Sequence, residues 1–375
     1  MGQAQLAQKI VLDVHVNEMD VCAHAEFKNH EHVFRIYDGA HDITAFVAVH
    51  STVLGTAEGG IRYKFYGNED EAITDVMRLS EGMTLKNSAA GLSAGGGKSV
   101  VMAHKDMPKP DEVVLQVLAA GLNIINADRA LYFGAEDMNI SEANLDYMLG
   151  YTKFLKGATS ADETVAAGNP SPLTALGVFE AMKMAVEHVY KGEKHLGDMT
   201  VALQGVGSVG GALACLLYTA GAKLVACDIS DEAFEMLADE GVEVERVGLD
   251  DIYDVKADIF APNAIGGTLN DNTVTRLAQA GVRIVCGAAN NQQAQQIGHV
   301  QSKQLQELGI LYCPDFIVNA GGIIWVNQVG ENAEQVRSRV LEHMPKSLSN
   351  IIELATANAK DMGEMAEDYA LSLVK

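Results

Sequence analysis

Residues 200–217 constrain the fold of this chain more than any other stretch. TVALQ (200–204) is an apolar, β-type run, and Gly205-Val206-Gly207-Ser208-Val209-Gly210 is a glycine-rich turn. Val209, Leu213, Leu216 and Leu217 then give the following residues the apolar stripe of a helix. In such a strand–turn–helix unit Gly205 permits the tight turn and Gly207 lets backbone amides approach a pyrophosphate. Gly210 lets the helix pack closely on the strand. The start of the helix, at Ser208 and Val209, offers N–H groups and the positive end of a dipole to an anion. Asp228 ends the next apolar run, eighteen residues after Gly210, where a carboxylate can accept hydrogen bonds from ribose hydroxyls. The ligand this predicts is a dinucleotide. Asp228 would repel a 2′-phosphate, and Ile229, Ser230 and Asp231 supply no Arg or Lys, so NAD is favoured over NADP. The competing reading, a glycine turn without a ligand, leaves the flanking strand, helix and acidic residue unexplained.

From about residue 198 short apolar runs alternate with helix-sized spacers: TVALQ, KLVACD (223–228), GVEVERV (241–247), ADIFAP (257–262), VRIVCGA (282–288) and ILYCPD (310–315). That alternation predicts βα units on a parallel sheet. Earlier in the chain VFRIY (33–37) and ITAFVAV (43–49) read as strand–turn–strand, and residues 69–84 carry helical apolar spacing. The expected class is therefore α/β with two domains: residues 1–155, and a doubly wound domain over 156–344. Residues 345–375 are expected to form a helix that packs back on the first domain.

Charge and targeting narrow the partners. The chain has 50 acidic against 27 basic residues, a formal net charge of −23, which disfavours a nucleic-acid backbone. Residues 1–20 lack a basic segment followed by a compact apolar core, so no signal peptide is read there. Met199–Ala222 holds no charged residue, but glycines and Gln204 interrupt it and no membrane span results. Five scattered cysteines without a CxxC spacing suit small core residues of a reduced, cytoplasmic protein. The histidines show no ligand spacing, so no metal is expected.

The chain is rich in glycine, and nine of its 36 glycines lie between Gly55 and Gly97, around Lys86 (MTLKNSAAG) and Lys98 (AGGGKSVV). Lysines among small residues, not solvating charges, have two readings. Glycine turns simply expose them, or one binds a substrate carboxylate while the other, desolvated near a like charge, acts as a base. Asp137, in FGAEDMNIS, is a third candidate, although a lone Asp there also suits a helix cap.

These segments occur in a fixed order: GGIRY (59–63), MTLKNSAAGL (83–92), GGGKSV (95–100), AEDMNIS (135–141), the glycine-rich turn, GAANNQ (287–292) and DFIVNAGG (315–322). From about residue 30 to 330 the chain resembles the amino acid dehydrogenases that act on glutamate, leucine, phenylalanine, valine and tryptophan, and it sits closest to the leucine and tryptophan branches. The resemblance implies a cleft between a substrate domain and an NAD-binding domain. It assigns Lys86 to the substrate α-carboxylate, Lys98 to the base that activates water, and Asp137 to proton exchange with the amino nitrogen. Gly59 and Gly60 would let a loop close on the substrate. Thr174, Asn263, Asn290 and Asn319 would join the cofactor set. The implied reaction is NAD-dependent oxidative deamination of an L-amino acid to a 2-oxo acid and ammonia, in a homo-oligomer.

Ala135, Ile323 and Val326 would then line an apolar side-chain pocket suited to a branched-chain or aromatic substrate. Glu58, directly before Gly59, departs from the family pattern, which has an apolar residue in leucine-type enzymes and a lysine in glutamate-type ones. It argues against glutamate as substrate. Either Glu58 faces the pocket and favours a cationic or hydrogen-bonding side chain, or it turns outward or pairs with Arg62 or Lys64 and leaves the pocket apolar.

Overall fold

The computed structural model describes residues 11–159, 166, 168–295, 298–328 and 330–374. The expected absence of a signal peptide and most of the expected domain junction concern segments partly outside these residues. The chain divides into two units, one of residues 11–84 with 93–159, and one of residues 85–92 with the described residues from 166 onward.

The first unit is built on β1 (Val14–Glu18), β2 (His32–Asp38), β3 (Ile43–Ser51), β4 (Ala57–Lys64), β5 (Gly95–Met102) and β6 (Tyr132–Ala135). They form one sheet in the order β1-β2-β3-β5-β4-β6. Each neighbouring pair along β1-β2-β3-β5 is antiparallel, whereas β4 runs parallel to β5 and β6. Its helices are α1 (Glu69–Ala89), whose residues from 85 onward belong to the second unit, α2 (Glu112–Ile125) and α3 (Glu142–Met148). Strand side chains alternate between faces, and each face meets a different core. Val47, Ala57, Ile61, Tyr63, Val101 and Tyr132 pack with Val114, Leu118 and Leu122 of α2. Phe46, Ala48 and Val100 pack with Ala72, Ile73, Val76 and Met77 of α1. Glu58, Arg62, Lys98, Phe133 and Ala135 therefore project from the α1 face.

Gly95, Gly96 and Gly97 read as a turn but form the start of β5, an interior strand. Neighbouring backbone and rings enforce their size: a Cβ on Gly96 would lie 2.0 Å from Thr84 Oγ1, and one on Gly97 would lie 2.6 Å from the Tyr132 ring.

The second unit holds β7 (Thr200–Gln204), β8 (Lys223–Cys227), β9 (Glu245–Arg246), β10 (Ile259–Pro262), β11 (Ile284–Val285) and β12 (Leu311–Tyr312). All pairs are parallel, in the order β12-β11-β10-β7-β8-β9, the doubly wound arrangement expected from the alternation. Its helices are α4 (Ser171–Tyr190), α5 (Ser208–Thr219), α6 (Asp231–Asp239), α7 (Asp271–Ala280), α8 (Val300–Glu307), α9 (Asp315–Val318), α10 (Gly321–Asn327), α11 (Ala333–Asn358) and α12 (Met362–Ser372).

The C-terminal segment differs from expectation. It forms two helices, and Leu348, Ile351, Ile352, Met365 and Ala366 belong to the core of the second sheet. Its contact with the N-terminal half of the sequence is made on the last turn of α1. There His343 Nε2 lies 2.7 Å from Ala89 O, and Ser88 Oγ donates to Ala370 O at 3.0 Å. Residues 85–92 cluster with the second unit for this reason. The cysteines divide as well: Cys227, Cys286 and Cys313 are buried, but Cys215 is half-buried and Cys22 exposed.

Candidate active site

Lys98 sits in mid-strand on β5 and is 5% exposed, so a glycine turn does not expose it. Its Nζ lies 2.9 Å from Asp137 Oδ2, and Arg62 Nε donates to the same oxygen at 3.0 Å. Arg62 also reaches Asp75 Oδ2 at 3.2 Å, an atom that accepts from Tyr66 OH at 2.7 Å. Burial pushes the Asp137 carboxyl up, but the Lys98 and Arg62 cations outweigh it and hold the group at about 2. Asp137 is thus an ionised acceptor between two cations. Asp137 also closes a bridge with Ile140 ahead of α3, whose cap is Ser141.

Gly59 and Gly60, expected in a closing loop, lie in β4. A Cβ on Gly60 would come within 2.6 Å of Asp137 Cβ and 2.9 Å of Lys98 Nζ, so the ion pair itself requires glycine there. On Gly59 it would meet Gly97 O at 1.9 Å.

Glu58 pairs with neither Arg62 nor Lys64. Its Oε1 lies 2.5 Å from Lys156 Nζ, while the residue is 8% exposed. Burial pushes its carboxyl above the usual carboxylate range, and the Lys156 ammonium only partly counteracts that. Its Oε2 is buried without a hydrogen-bond partner.

Lys86 occupies the last turn of α1, in the second unit, and is half-buried. Its charge acts on Asp315, a carboxyl that burial pushes up and that backbone N–H groups and Lys86 only partly bring back down. Asp315 Oδ2 accepts from Asn291 N at 2.5 Å, and Asn291 adopts a left-handed φ of 56°. The GAANNQ loop is thereby tied to α9. Asn319 Nδ2 donates to Asn290 Oδ1 at 2.8 Å and to Ala288 O at 3.0 Å, while its buried Oδ1 lacks a partner. Asn290 is exposed; Thr174 Oγ1 donates to Pro170 O at 3.1 Å and would lie 2.3 Å from a Cβ on Gly322. Ala135 and Val326 are buried and Ile323 half-buried.

Gly205 has a left-handed φ of 93°, and a Cβ on it would lie 2.7 Å from Ala264 Cβ. One on Gly210 would lie 2.1 Å from Gly205 O. Gly207 has no such demand: its φ is −67° and a Cβ would meet only open space. Val209 packs half-buried on the core, and Ser208 begins α5. Asp228 Oδ2 accepts from Val206 N at 2.8 Å and Oδ1 from Ser230 N at 2.9 Å. Asn263 Oδ1 accepts from Ala288 N at 2.9 Å. Two features fit a nicotinamide dinucleotide without being needed by the fold: a glycine at 207 and an unpartnered amide oxygen on Asn319.

Sequence reasoning missed four residues. Arg62 was visible inside GGIRY, but only as a partner for Glu58. Asp75, Lys156 and Asp315 become partners through strand register and loop closure, and carry no local signal. Among the described residues no cluster of His, Cys, Asp or Glu could hold a metal ion.

Residues 28–154 match the family described as Glu/Leu/Phe/Val dehydrogenase, dimerisation domain, and residues 234–375 match Glutamate/Leucine/Phenylalanine/Valine dehydrogenase. The chain is 37% identical to the leucine dehydrogenase of Thermoactinomyces intermedius, covering 90% of this chain and 88% of that one. It is 38% identical to the valine dehydrogenase of Streptomyces albus, over 81% and 80% of the two chains. Its fold matches the crystal structure of L-tryptophan dehydrogenase from Nostoc punctiforme with a TM-score of 0.76 and 31% identity, over 92% and 96% of the chains.

Proposed function

The chain belongs to the Glu/Leu/Phe/Val dehydrogenase family, and from that premise we propose that it oxidises an L-amino acid with NAD to a 2-oxo acid and ammonia, reversibly. The observation that carries this reading is the buried Lys98–Asp137 ion pair on a face cleared by Gly60. A branched-chain or aromatic substrate suits the apolar Ala135, Ile323 and Val326, and suits relatives named for leucine, valine and tryptophan.

Held at the glycine-rich turn, NAD would supply the acceptor for a hydride from the substrate Cα. The protein's residues do the rest. Lys86 neutralises the α-carboxylate. Asp137, kept ionised, accepts hydrogen bonds from the amino group and takes its proton when the iminium forms. Lys98 is the base that removes a proton from water as it adds to the iminium carbon. The carbinolamine then collapses to the 2-oxo acid: Asp137 returns a proton to the departing nitrogen, and the hydroxyl proton leaves with the ammonia as ammonium. The cations beside Asp137 and the substrate carboxylate meet the developing charges electrostatically.

Gly205, Gly207, Ser208, Val209 and Gly210 would hold the pyrophosphate, with Thr174, Asn263, Asn290 and Asn319 around the nicotinamide. Asp228 would accept from the ribose, which favours NAD over NADP. Arg246 lies near this end of the sheet, but Asp231 already pairs with it at 2.6 Å. A homo-oligomer is supported by the dimerisation-domain match and by β1, an edge strand of its sheet. A cytoplasmic location fits reduced cysteines; among the described residues no helix is long and apolar enough to cross a membrane.

The test is steady-state turnover of a panel of L-amino acids, and of 2-oxo acids with ammonium, run with NAD and with NADP. The reading predicts ammonium-dependent NADH oxidation and a preference for NAD. A protein that binds NAD but turns over no member of the panel would contradict it.

A further inference from the structure

Glu58 and its partner Lys156 come from segments 98 residues apart, yet the sheet places them on one face with the proposed chemistry. Glu58 pairs in register with Gly96 of β5 and Phe133 of β6. Lys98 is two residues beyond Gly96, so it projects from the same face, roughly 7 Å further along the strand. Leu155 continues the sheet beside Gly134, with Lys156 N donating to Gly134 O at 2.8 Å. Leu155 faces the α2 core, and alternation turns Lys156 toward Glu58. The lysine ammonium also lies 5.9 Å from the centre of the Phe133 ring.

We propose that the Glu58–Lys156 pair selects a substrate side chain that is neutral and carries an N–H or O–H donor. This rests on the deamination reading and shifts its substrate preference from purely apolar side chains toward those that carry a donor, such as tyrosine and tryptophan among the aromatic ones. Three observations carry the proposal. Glu58 is more than nine-tenths buried, and Oε2 has no partner while Oε1 is taken by Lys156. A buried acceptor left unsatisfied is costly, so a donor supplied by the ligand is rewarded and an apolar side chain of the same shape is not. Finally, the pair has no net charge. An ammonium or guanidinium side chain would bring a second cation to a carboxylate that Lys156 already neutralises, and a carboxylate side chain would face Glu58. Phenol, indole and carboxamide groups meet the requirement; aliphatic and phenyl groups do not.

The experiment compares kcat/KM for two matched pairs, tyrosine with phenylalanine and glutamine with methionine, alongside leucine, lysine and arginine. It is run on the wild-type chain, Glu58→Gln and Glu58→Leu, with melting temperature as the check on folding. The expected wild-type result is at least a tenfold preference for the donor-bearing member of one pair, with lysine and arginine below it. Glu58→Leu should abolish that preference and raise kcat/KM for leucine. If Glu58→Leu fails to fold, Glu58→Gln keeps the test open, because exchanging a carboxylate for an amide should lower the same ratio several-fold. Equal wild-type turnover within both pairs, an unchanged ratio in the folded variants, or a preference for lysine or arginine would overturn the proposal while leaving deamination intact. Absence of turnover with every amino acid would instead sink the deamination reading and this inference with it.

Discussion

Lys98 Nζ and Asp137 Oδ2 lie 2.9 Å apart, one on an interior strand and the other just after β6, with Arg62 on the same carboxylate oxygen. The lysine is thus held by a partner that is itself held, and only glycine at position 60 leaves room for the pair.

Lys98→Ala should lower kcat by about 10³-fold or more, the scale of a lost general base. Asp137 keeps Arg62 in this variant, so the melting temperature should shift little. Lys98→Arg separates the roles: it retains the cation but does not deprotonate near neutral pH. Single-turnover rates of ammonia release should be equally poor in both variants, because Lys98 acts after the hydride has left Cα. Recovery of activity in Lys98→Arg would reduce Lys98 to an electrostatic role.

The Asp137 carboxyl is raised by burial but held at about 2 by Lys98 and Arg62, against an ordinary 3.8. A depressed carboxyl stabilises the fold above its unfolded value and loses that contribution as pH falls from 3.8 toward 2. The shift corresponds to on the order of 2 kcal/mol at neutral pH. Asp137→Asn should therefore be less stable by that order in urea unfolding at pH 7, with the gap shrinking below pH 4. An acidic limb of the activity profile above pH 4 should also survive in any residual turnover of Asp137→Asn, because that limb belongs to another group.

Gly60→Ala places a methyl group within 2.6 Å of Asp137 Cβ and 2.9 Å of Lys98 Nζ. The strand should absorb it at a cost of about 1–3 kcal/mol, as other overpacking substitutions do. The ion pair should not, so kcat should fall at least 100-fold while NAD binding, followed by fluorescence titration, stays within a few-fold of wild type.

Asp228→Ser removes a carboxylate that ties down Val206 N and Ser230 N. The ratio of kcat/KM for NAD over NADP should drop at least tenfold, with about 1 kcal/mol lost in stability from the missing loop bonds. An unchanged ratio would remove Asp228 from cofactor choice.

The second sheet was legible because each signal was local. TVALQ, the glycines at 205, 207 and 210, and Asp228 lie within one βα unit, and backbone sterics at Gly205 and Gly210 impose the residue type. The first unit hid more. Gly95-Gly96-Gly97 looks like a turn because a strand seldom tolerates three glycines, and the reason for them, the approach of Thr84 and Tyr132, comes from α1 and β6. Glu58 advertised an anomaly without its solution, since Lys156 meets it only once residues 154–156 lie along β6. The C-terminal helices were misplaced for a similar reason: their stripe, with Leu348, Ile351 and Ile352, specifies burial but not the surface that provides it.

Product stoichiometry with Cα-deuterated L-amino acids and NAD tests the central claim most directly. Oxidative deamination predicts one ammonia and one 2-oxo acid per NADH, with the deuterium recovered in the nicotinamide ring and the yield abolished in Lys98→Ala. NADH formed without ammonia, or with no deuterium transferred, would contradict it.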